Sequence, residues 1–304
     1  MASVTDEKSL SMFALRRLSG QPRGARRHRE RWTSSRVLVR LLVGLGCLIF
    51  ATPLIVLLLA AIQPNQALTM NGPAALPHQF TLRNFSSAWT SADMWGYYRN
   101  SLMILLVKVP LGLLISSAAA YPLTKLRFRG RRTVLVILLI GLGVPQVVVL
   151  YPLLELSKTI GYSDSVWILL LPYLAFGLPF EILVMRGAFA GIPKETIEAA
   201  RIDGAGEFRI WARICLPNLI APLASLAILD GVSTWNEFIV ALALVPGQSS
   251  ATLPLGINNL QGQFSTNYAQ LCAGVVIAVA PMILLFAVTR RYLVRGVASG
   301  GLKG

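Results

Sequence analysis

Four polar side chains recur at helical spacing inside one apolar segment in the second half of the chain, and they could bind a polar solute. They occupy positions i, i+3, i+4 and i+7 of that segment, as Asp230, Ser233, Thr234 and Glu237. A helix would place all four on one face. Charges inside apolar spans are costly and usually face a bundle interior or a water-filled path. The stripe therefore predicts either a solute path or polar contacts that hold helices together.

Lys108 lies inside another apolar segment. Lys108 and Glu237 are about nine and about eight residues from the outer ends of their predicted spans, which is roughly 12–14 Å at about 1.5 Å per residue. We therefore predict an ion pair between Lys108 and Glu237. Asn236 is a further candidate for the solute path. Glu181 and Arg186 lie near the opposite end of a span, where we expect them to support the adjacent polar segment rather than touch solute.

The chain has no recognisable motif for nucleotide hydrolysis. The stretch 296–303 has glycines and one lysine, but not the spacing of a phosphate-binding loop. His28 and His78 lie far apart, and Cys47, Cys215 and Cys272 lack the spacing of metal ligands. We expect a chain that is not an enzyme and binds no metal or cofactor. Energy for transport would then come from a partner protein.

The polar interval 192–217 lies between two apolar spans and carries charges of both signs. Pro193 suits the first turn of a helix, where its missing N–H costs nothing. Gly204 and Gly206 favour a turn, since glycine adopts positive φ without a steric penalty. A second helix, 207–216, would be anchored by an apolar face formed by Ile210, Trp211 and Ile214. We predict two short helices at a bend, where a partner could dock.

Composition indicates a multi-spanning membrane protein, because 55% of the 304 residues are hydrophobic and 13% are charged. The mean hydropathy is +0.62. Apolar runs of the length of a bilayer predict six helical spans, at 37–62, 99–123, 133–154, 165–185, 219–245 and 271–292. Prolines predict that several spans are bent, at Pro53, Pro110, Pro145, Pro172, Pro179, Pro222 and Pro281.

The net charge of +15 is distributed on one side of the predicted membrane. Twenty-four Lys and Arg residues fall in segments 1–40, 125–132, 186–213 and 290–303, against three in the loops of the other side. This bias predicts that both termini and the segment 192–217 are cytoplasmic. No nucleic-acid partner is needed to explain the charge. Residues 1–36 are polar and arginine-rich, so we expect disorder there, in a basic tail that sets the membrane topology or that also contacts membrane lipid through a short amphipathic segment.

A seven-position pattern in the polar interval resembles the coupling loop of ABC-importer permeases. It is filled by Glu198, Ala199, Ala200, Gly204, Ile214, Leu216 and Pro217. The two alanines would leave a bare helix surface that fits a partner's cleft. Further stretches resemble the maltose-type carbohydrate permeases of the second-subunit type, namely 81–85, 100–102, 235–238, 252–254 and the glycine-rich terminus 296–304.

This resemblance implies the all-α type I ABC importer permease fold in a bacterial plasma membrane. It implies a basic cytoplasmic tail at 1–36, a six-span permease domain at 37–292 and a cytoplasmic tail at 293–304. The implied partners are a second permease, an extracytoplasmic solute-binding protein and two copies of an ATPase that carry ATP and Mg²⁺. The coupling loop would also include Asp203, and the tail would reach the ATPase through Leu302 and Lys303. The implied solute is a carbohydrate.

Other hypotheses stay open. An importer of another small polar solute, such as a glycerol phosphodiester, an amino acid or a peptide, would share the coupling loop. An ion-coupled secondary carrier would use Lys108, Asp230 and Glu237 as coupling charges and would work without an ATPase. A membrane scaffold or sensor would leave the polar stripe dispensable. The Trp-Asn-Glu-Phe stretch at 235–238 favours the carbohydrate type.

Overall fold

Long apolar runs decide this architecture, because a backbone inside a bilayer must satisfy its own hydrogen bonds and a helix does so locally. The computed structural model describes residues 27–73, 75–91, 93–161, 165–261 and 266–300, and within those ranges the regular elements are helices, without a strand. In chain order they are α1 (Arg27–Ala61), α2 (Asn65–Asn71), α3 (Arg83–Ser91), α4 (Met94–Lys125), α5 (Arg131–Gly143), α6 (Gln146–Ile160), α7 (Leu170–Ala190), α8 (Lys194–Ile202), α9 (Glu207–Asn218), α10 (Ile220–Trp235), α11 (Ile239–Leu244), α12 (Leu253–Asn258) and α13 (Tyr268–Gly300).

Four helical stretches are long and apolar enough to cross a membrane. They are Arg36–Ala61, Met94–Lys125, Val166–Ala190 and Tyr268–Thr289. Four of the predicted spans coincide with them, at 37–62, 99–123, 165–185 and 271–292. Two bent helix pairs, α5 with α6 and α9 with α10, raise the number of candidate spans in the described residues to as many as six.

The span predicted at 133–154 is not one straight helix. Helix α5 ends at Gly143, α6 begins at Gln146, and the two axes differ by 95°. Pro145 lacks an N–H and disfavours helical geometry at the residue before it. Val144 accordingly has an extended conformation, with φ −78° and ψ 114°. The predicted bending at Pro145 is confirmed, and it is a break rather than a kink.

The span predicted at 219–245 is also interrupted. Helix α10 ends at Trp235, residues 236–238 are not helical, and α11 begins at Ile239. At its other end α10 meets α9 at an angle of 78°. The interruption falls within the predicted polar stripe, so the stripe continues beyond the end of its helix.

The structure also corrects the predicted ends and loops. Helix α1 begins at Arg27, although the sequence predicts disorder as far as residue 36. Helix α13 runs to Gly300, beyond the predicted span end at residue 292. The predicted loop 63–98 contains α2 and α3, and the predicted loop 246–270 contains α12. Leu302 and Lys303 lie outside the described residues.

Residues up to Val56 and residues from Leu57 onward form two units. In the second unit α4 packs along α7, and α10 packs against both. One hydrophobic cluster of this unit contains Tyr97, Tyr173 and Trp235. A second cluster contains Tyr121, Phe189, Ile197, Ile210 and Trp211. The first surrounds the polar stripe, and the second anchors the segment 192–217 to the ends of α4 and α7.

Candidate functional site

Lys108 forms two buried ion pairs where α4, α7 and α10 meet. Its Nζ lies 3.1 Å from Glu181 Oε1 on α7 and also contacts Asp230 Oδ1 on α10. Lys108, Glu181 and Asp230 are only 2%, 1% and 8% exposed. We refer to these three residues as the buried triad. Because a charge in such a place needs a partner, the triad ties the three helices together.

Two glycines leave the space that the buried triad occupies. A Cβ atom on Gly112 would lie 2.8 Å from Glu181 Oε2. A Cβ atom on Gly177 would lie 2.8 Å from both Glu181 Oε1 and Lys108 Nζ. Larger residues at either position would push the charged groups apart, so these glycines are part of the site.

The predicted ion pair between Lys108 and Glu237 is wrong. Glu237 accepts a hydrogen bond of 2.6 Å from the Tyr173 hydroxyl and bonds of 2.8 and 3.2 Å from the backbone N–H groups of Val240 and Ala241. It therefore caps the first turn of α11, where a carboxylate is stabilised by free N–H groups. The prediction placed Glu237 by counting residues along a straight helix. The helix ends at Trp235, so Glu237 does not share the face that carries Asp230 toward Lys108.

The expectation that Glu181 supports the polar segment 192–217 is also wrong. Its carboxylate binds Lys108 in the bundle interior. The reason is again geometric, since Glu181 lies on the face of α7 that packs against α4. Arg186 lies about one and a half turns further along α7 and does reach the segment 192–217, because it lines a cavity together with Lys194 and Glu198.

Five of the six predicted solute-path residues meet at one small cavity of about 90 Å³. They are Lys108, Asp230, Ser233, Thr234 and Glu237. Gln146 and Tyr173 complete its polar lining, and sequence reasoning missed both. Gln146 follows the Pro145 break and Tyr173 lies in an apolar run, so only their positions in the fold reveal them. Ligand sites usually measure about 300–1,000 Å³, so a sugar would require this cavity to open.

Asn236 does not join the other predicted residues. Its side-chain amide donates to the Val232 carbonyl at 2.8 Å, and it lines a different cavity of about 360 Å³ with Trp235 and Phe238. The Trp235 indole N–H donates to the Ala278 carbonyl at 3.2 Å. Trp235 is thereby held in the hydrophobic cluster by α13 rather than presented to the polar cavity.

Two carboxylate oxygens of the buried triad have unused hydrogen-bonding capacity. Glu181 Oε2 and Asp230 Oδ2 are buried without a hydrogen-bond partner among the described residues. The triad combines one cation with two carboxyl groups, so it can accept further donors. Asp230 also lines the small cavity. Hydroxyl groups of a solute or of water are donors of the type that this oxygen requires.

The segment 192–217 forms the two short helices that the sequence predicts, and we refer to it as the coupling turn. Gly204 has φ +79° between α8 and α9, a conformation that favours glycine. Gly206 has φ −68° and needs no special freedom. Pro193 immediately precedes α8 instead of being its first residue. Pro217 lies within the last turn of α9 and does not end it.

Polar contacts connect the coupling turn to α4. Arg201 Nε donates to Glu207 Oε1 at 2.8 Å, and the Tyr121 hydroxyl of α4 donates to Glu207 Oε2. The hydrogen bond to Glu207 raises the pKa of Arg201, so its cationic form is secured. Side-chain hydrogen bonds therefore connect the coupling turn to the helix that carries Lys108.

The two alanines of the coupling pattern face opposite ways. Ala199 is exposed with Glu198 and Asp203, whereas Ala200 is buried beside Ile197. The expectation that both alanines form a bare docking surface is thus wrong for Ala200, because α8 turns that face toward its own hydrophobic cluster. The predicted apolar anchor of α9 is confirmed, since Ile210 and Trp211 are buried and Ile214 and Leu216 pack against them.

Two large apolar side chains of the coupling turn are exposed. Ile202 is 86% exposed and Phe208 is 77% exposed, on either side of Gly204. Large exposed apolar groups on a short polar segment can form part of a protein contact surface. Sequence reasoning missed both, although large apolar residues on the polar side of a short amphipathic helix are a readable signal. Among the described residues, no group of His, Cys, Asp or Glu is arranged to hold a metal ion.

Comparisons with known proteins agree on one family. Residues 109–299 match the family profile described as "binding-protein-dependent transport system inner membrane component". The chain is 35% identical to the arabinooligosaccharides transport system permease protein AraQ of Halalkalibacterium halodurans, over 83% of this chain and 91% of that protein. It is 34% identical to the alpha-glucoside transport system permease protein AglG of Rhizobium meliloti, over 76% of this chain and 62% of that protein.

The fold also resembles a solved structure. A chain of a bacterial ABC transporter involved in the import of the acidic polysaccharide alginate superposes with a TM-score of 0.74, at 22% identity, over 90% of this chain and 99% of that chain. At this level of identity the likeness concerns the fold.

Proposed function

The chain belongs to the family of binding-protein-dependent transport system inner membrane components, and we propose that the solute it transports is a carbohydrate. As an ABC transporter permease it is a membrane transport subunit and not an enzyme. The names of the two relatives, which refer to arabinooligosaccharides and alpha-glucosides, support this class of solute.

The observation that carries the proposal is the small polar cavity at the break between α10 and α11. Its lining combines hydroxyl groups, an amide and carboxylates, all suited to the hydroxyl groups of a sugar. Helices interrupted inside a membrane commonly border substrate sites, because irregular backbone is tolerated only beside a cavity or within protein. We assign the solute path of this subunit to Asp230, Ser233, Thr234, Glu237, Gln146 and Tyr173.

The proposed topology has six spans, with each bent helix pair counted as one. The excess of Lys and Arg in one set of loops supports cytoplasmic termini and a cytoplasmic coupling turn. In this arrangement the chain forms half of the pathway with a second permease. Two ATPase subunits lie on the cytoplasmic side, and a solute-binding protein delivers solute from the other side. We extend the ATPase contact to Leu302 and Lys303.

The coupling turn transmits ATPase motion to the solute path. Glu198, Ala199, Ile202, Asp203 and Phe208 form the face that enters the ATPase, and the buried face of α9 keeps the turn rigid. Movement of the turn displaces Glu207, and the hydrogen bond that Glu207 accepts from the Tyr121 hydroxyl transmits this displacement to α4. Helix α4 carries Lys108, so this movement changes the packing of the helices around the cavity. Such linked rigid elements are the usual route for coupling between distant sites.

The direct test begins with purification of the chain from its own membranes, followed by mass spectrometry. We expect an ATPase, a second permease and a binding protein to copurify. The binding protein is then screened against neutral oligosaccharides, amino acids, peptides and glycerol phosphodiesters, and the best ligand is used in ATP-driven uptake by liposomes. A binding protein that selects only amino acids or peptides would overturn the carbohydrate assignment. Uptake by the chain alone without ATP would show a secondary carrier instead.

Phe208→Ala tests the docking face. We expect ATPase copurification to fall about tenfold or more, because an exposed aromatic anchor can contribute more than about 1.4 kcal/mol to binding. Phe128→Ala is the matched control, since Phe128 is a partly exposed aromatic residue of the basic loop outside the coupling turn. Equal ATPase retention in both variants would contradict the assignment.

A further inference from the structure

A large cavity of about 1190 Å³ lies beside the coupling turn. It is bordered by the last turns of α4 and α7, the start of α5, and the helix α8. Six basic side chains line it, namely Lys125, Arg127, Arg131, Arg186, Lys194 and Arg201. Only two carboxylates, Glu198 and Glu207, share the lining. The cavity is therefore strongly basic.

Within the part of the chain that the structure describes, few of these cations have an assigned partner, and one has a buried N–H without an acceptor. Glu207 is engaged by Arg201 and Tyr121. Lys125 Nζ donates to the Ile192 carbonyl at 2.7 Å. Arg186 Nε is buried and has no hydrogen-bond partner among the described residues. A buried guanidinium N–H without an acceptor is costly, and an anion in the cavity would supply that acceptor.

The cavity also has an apolar wall. Leu183, Gly187 and Ala190 lie on one face of α7 and line it. Helix α5, which begins at Arg131, has no buried residue. Val134 and Ile137, in its first two turns, are exposed. In a bilayer these apolar faces contact acyl chains. The site thus pairs a basic recess with apolar helix surface directly beside it.

We propose that this cavity binds the phosphate headgroup of an anionic phospholipid of the cytoplasmic leaflet. Basic recesses between spans on the cytoplasmic side are suited to such headgroups. A free phosphate ion would satisfy the cations but would use none of the apolar surface beside them, whereas the acyl chains of the same phospholipid would lie along α5 and α7. The inference rests on the cytoplasmic position that we assign to the coupling turn. A bound headgroup contacting Arg186 and Lys194 would hold α8 against α7, so lipid composition would influence coupling.

The experiment uses the complete transporter in phosphatidylcholine nanodiscs, titrated with phosphatidylglycerol and analysed by native mass spectrometry. The test variant is Arg131→Gln/Arg186→Gln. The matched control is Arg129→Gln/Arg132→Gln, which removes two charges from the same loop and span end outside the cavity lining. Both variants lose two charges near the membrane surface, but only Arg131 and Arg186 line the cavity. Because each cation in contact with a headgroup contributes about 1 kcal/mol, we expect phosphatidylglycerol binding to weaken about thirtyfold more in the test variant than in the control.

A second variant guards against misfolding. Arg127→Gln/Arg131→Gln changes only side chains of the loop and of the first residue of α5, and we expect a similar loss of binding. Arg131→Lys/Arg186→Lys keeps the charge and should retain most of it.

Several outcomes would overturn the proposal. Equal binding in the test and control variants would show that no headgroup site exists. Displacement of phosphatidylglycerol by millimolar inorganic phosphate would show a site for free anions instead. A wild-type complex that binds no phosphatidylglycerol while it holds its ATPase would show that the ATPase covers the cavity. Copurification of partners and sugar uptake are measured on the same preparations, so a failure of the proposed function is recognised separately.

Discussion

The buried triad and the coupling turn both join cations to carboxylates, but in different surroundings. Lys108 lies between Glu181 and Asp230 with all three side chains at most 7% exposed. The side chains of Arg201 and Glu207 are 39% and 43% exposed. Water solvates the second pair whether or not it forms, whereas the first has no such alternative. The free energy of unfolding should therefore depend strongly on the charges of the buried triad and only weakly on those of the coupling turn, because burial decides what an ion pair contributes.

Removal of Lys108 should have the largest effect. Lys108→Met leaves two carboxyl groups buried without a cation, which costs about 3–5 kcal/mol of unfolding free energy. Thermal unfolding of the purified chain in detergent measures it. Lys158→Met is the control, since Lys158 is 58% exposed in its pair with Glu155 and should lose less than about 1 kcal/mol. Similar losses in the two variants would remove the distinction between buried and exposed pairs.

Gly177→Ala tests how tightly the buried triad is packed. Its Cβ would lie 2.8 Å from Lys108 Nζ and Glu181 Oε1, and these groups can yield only by weakening their ion pairs. We expect a loss of about 1–3 kcal/mol in the same unfolding assay. Gly231→Ala, where no atom lies within 4 Å of the added Cβ, should be neutral or stabilising. A neutral Gly177→Ala would mean that the triad tolerates displacement.

Gly204→Val tests the coupling turn. The space around Gly204 is open and only its positive φ opposes a side chain, so we expect about 1–2 kcal/mol of local strain. The turn should distort, and sugar uptake should fall relative to ATP hydrolysis while global unfolding changes little. Gly206→Ala, at a φ of −68°, is the control. Intact coupling in Gly204→Val would show that the turn does not need this conformation.

Arg201→Gln should have the smallest effect on stability. The exposed pair with Glu207 contributes roughly 0.2–1 kcal/mol, and salt should screen it. Unfolding at low and high ionic strength measures this dependence. A loss as large as that of Lys108→Met would show that the coupling turn behaves like the membrane interior.

Local patterns allowed the two helices, the bend and the apolar anchor of the coupling turn to be predicted. The Gly204 bend and the anchoring face of Ile210 and Trp211 depend on residues close in sequence. The inward orientation of Ala200 was missed, because it depends on the ends of α4 and α7.

In the solute path, the residues Asp230, Ser233 and Thr234 were found by helical spacing, but Gln146 and Tyr173 come from other helices and have no such pattern.

The amino-acid sequence by itself determined the long apolar helices, the concentration of Lys and Arg in a few segments and the coupling-loop pattern, because hydropathy, charge and turn preference are local properties. The pairing of the buried charges was decided only by the tertiary structure. Glu181 and Asp230 follow Lys108 in the sequence by 73 and 122 residues, and their contacts with Lys108 depend on how α4, α7 and α10 pack. The helices are also interrupted at Pro145 and after Trp235. The positions of Gln146 and Glu237 therefore cannot be found by counting residues along straight helices.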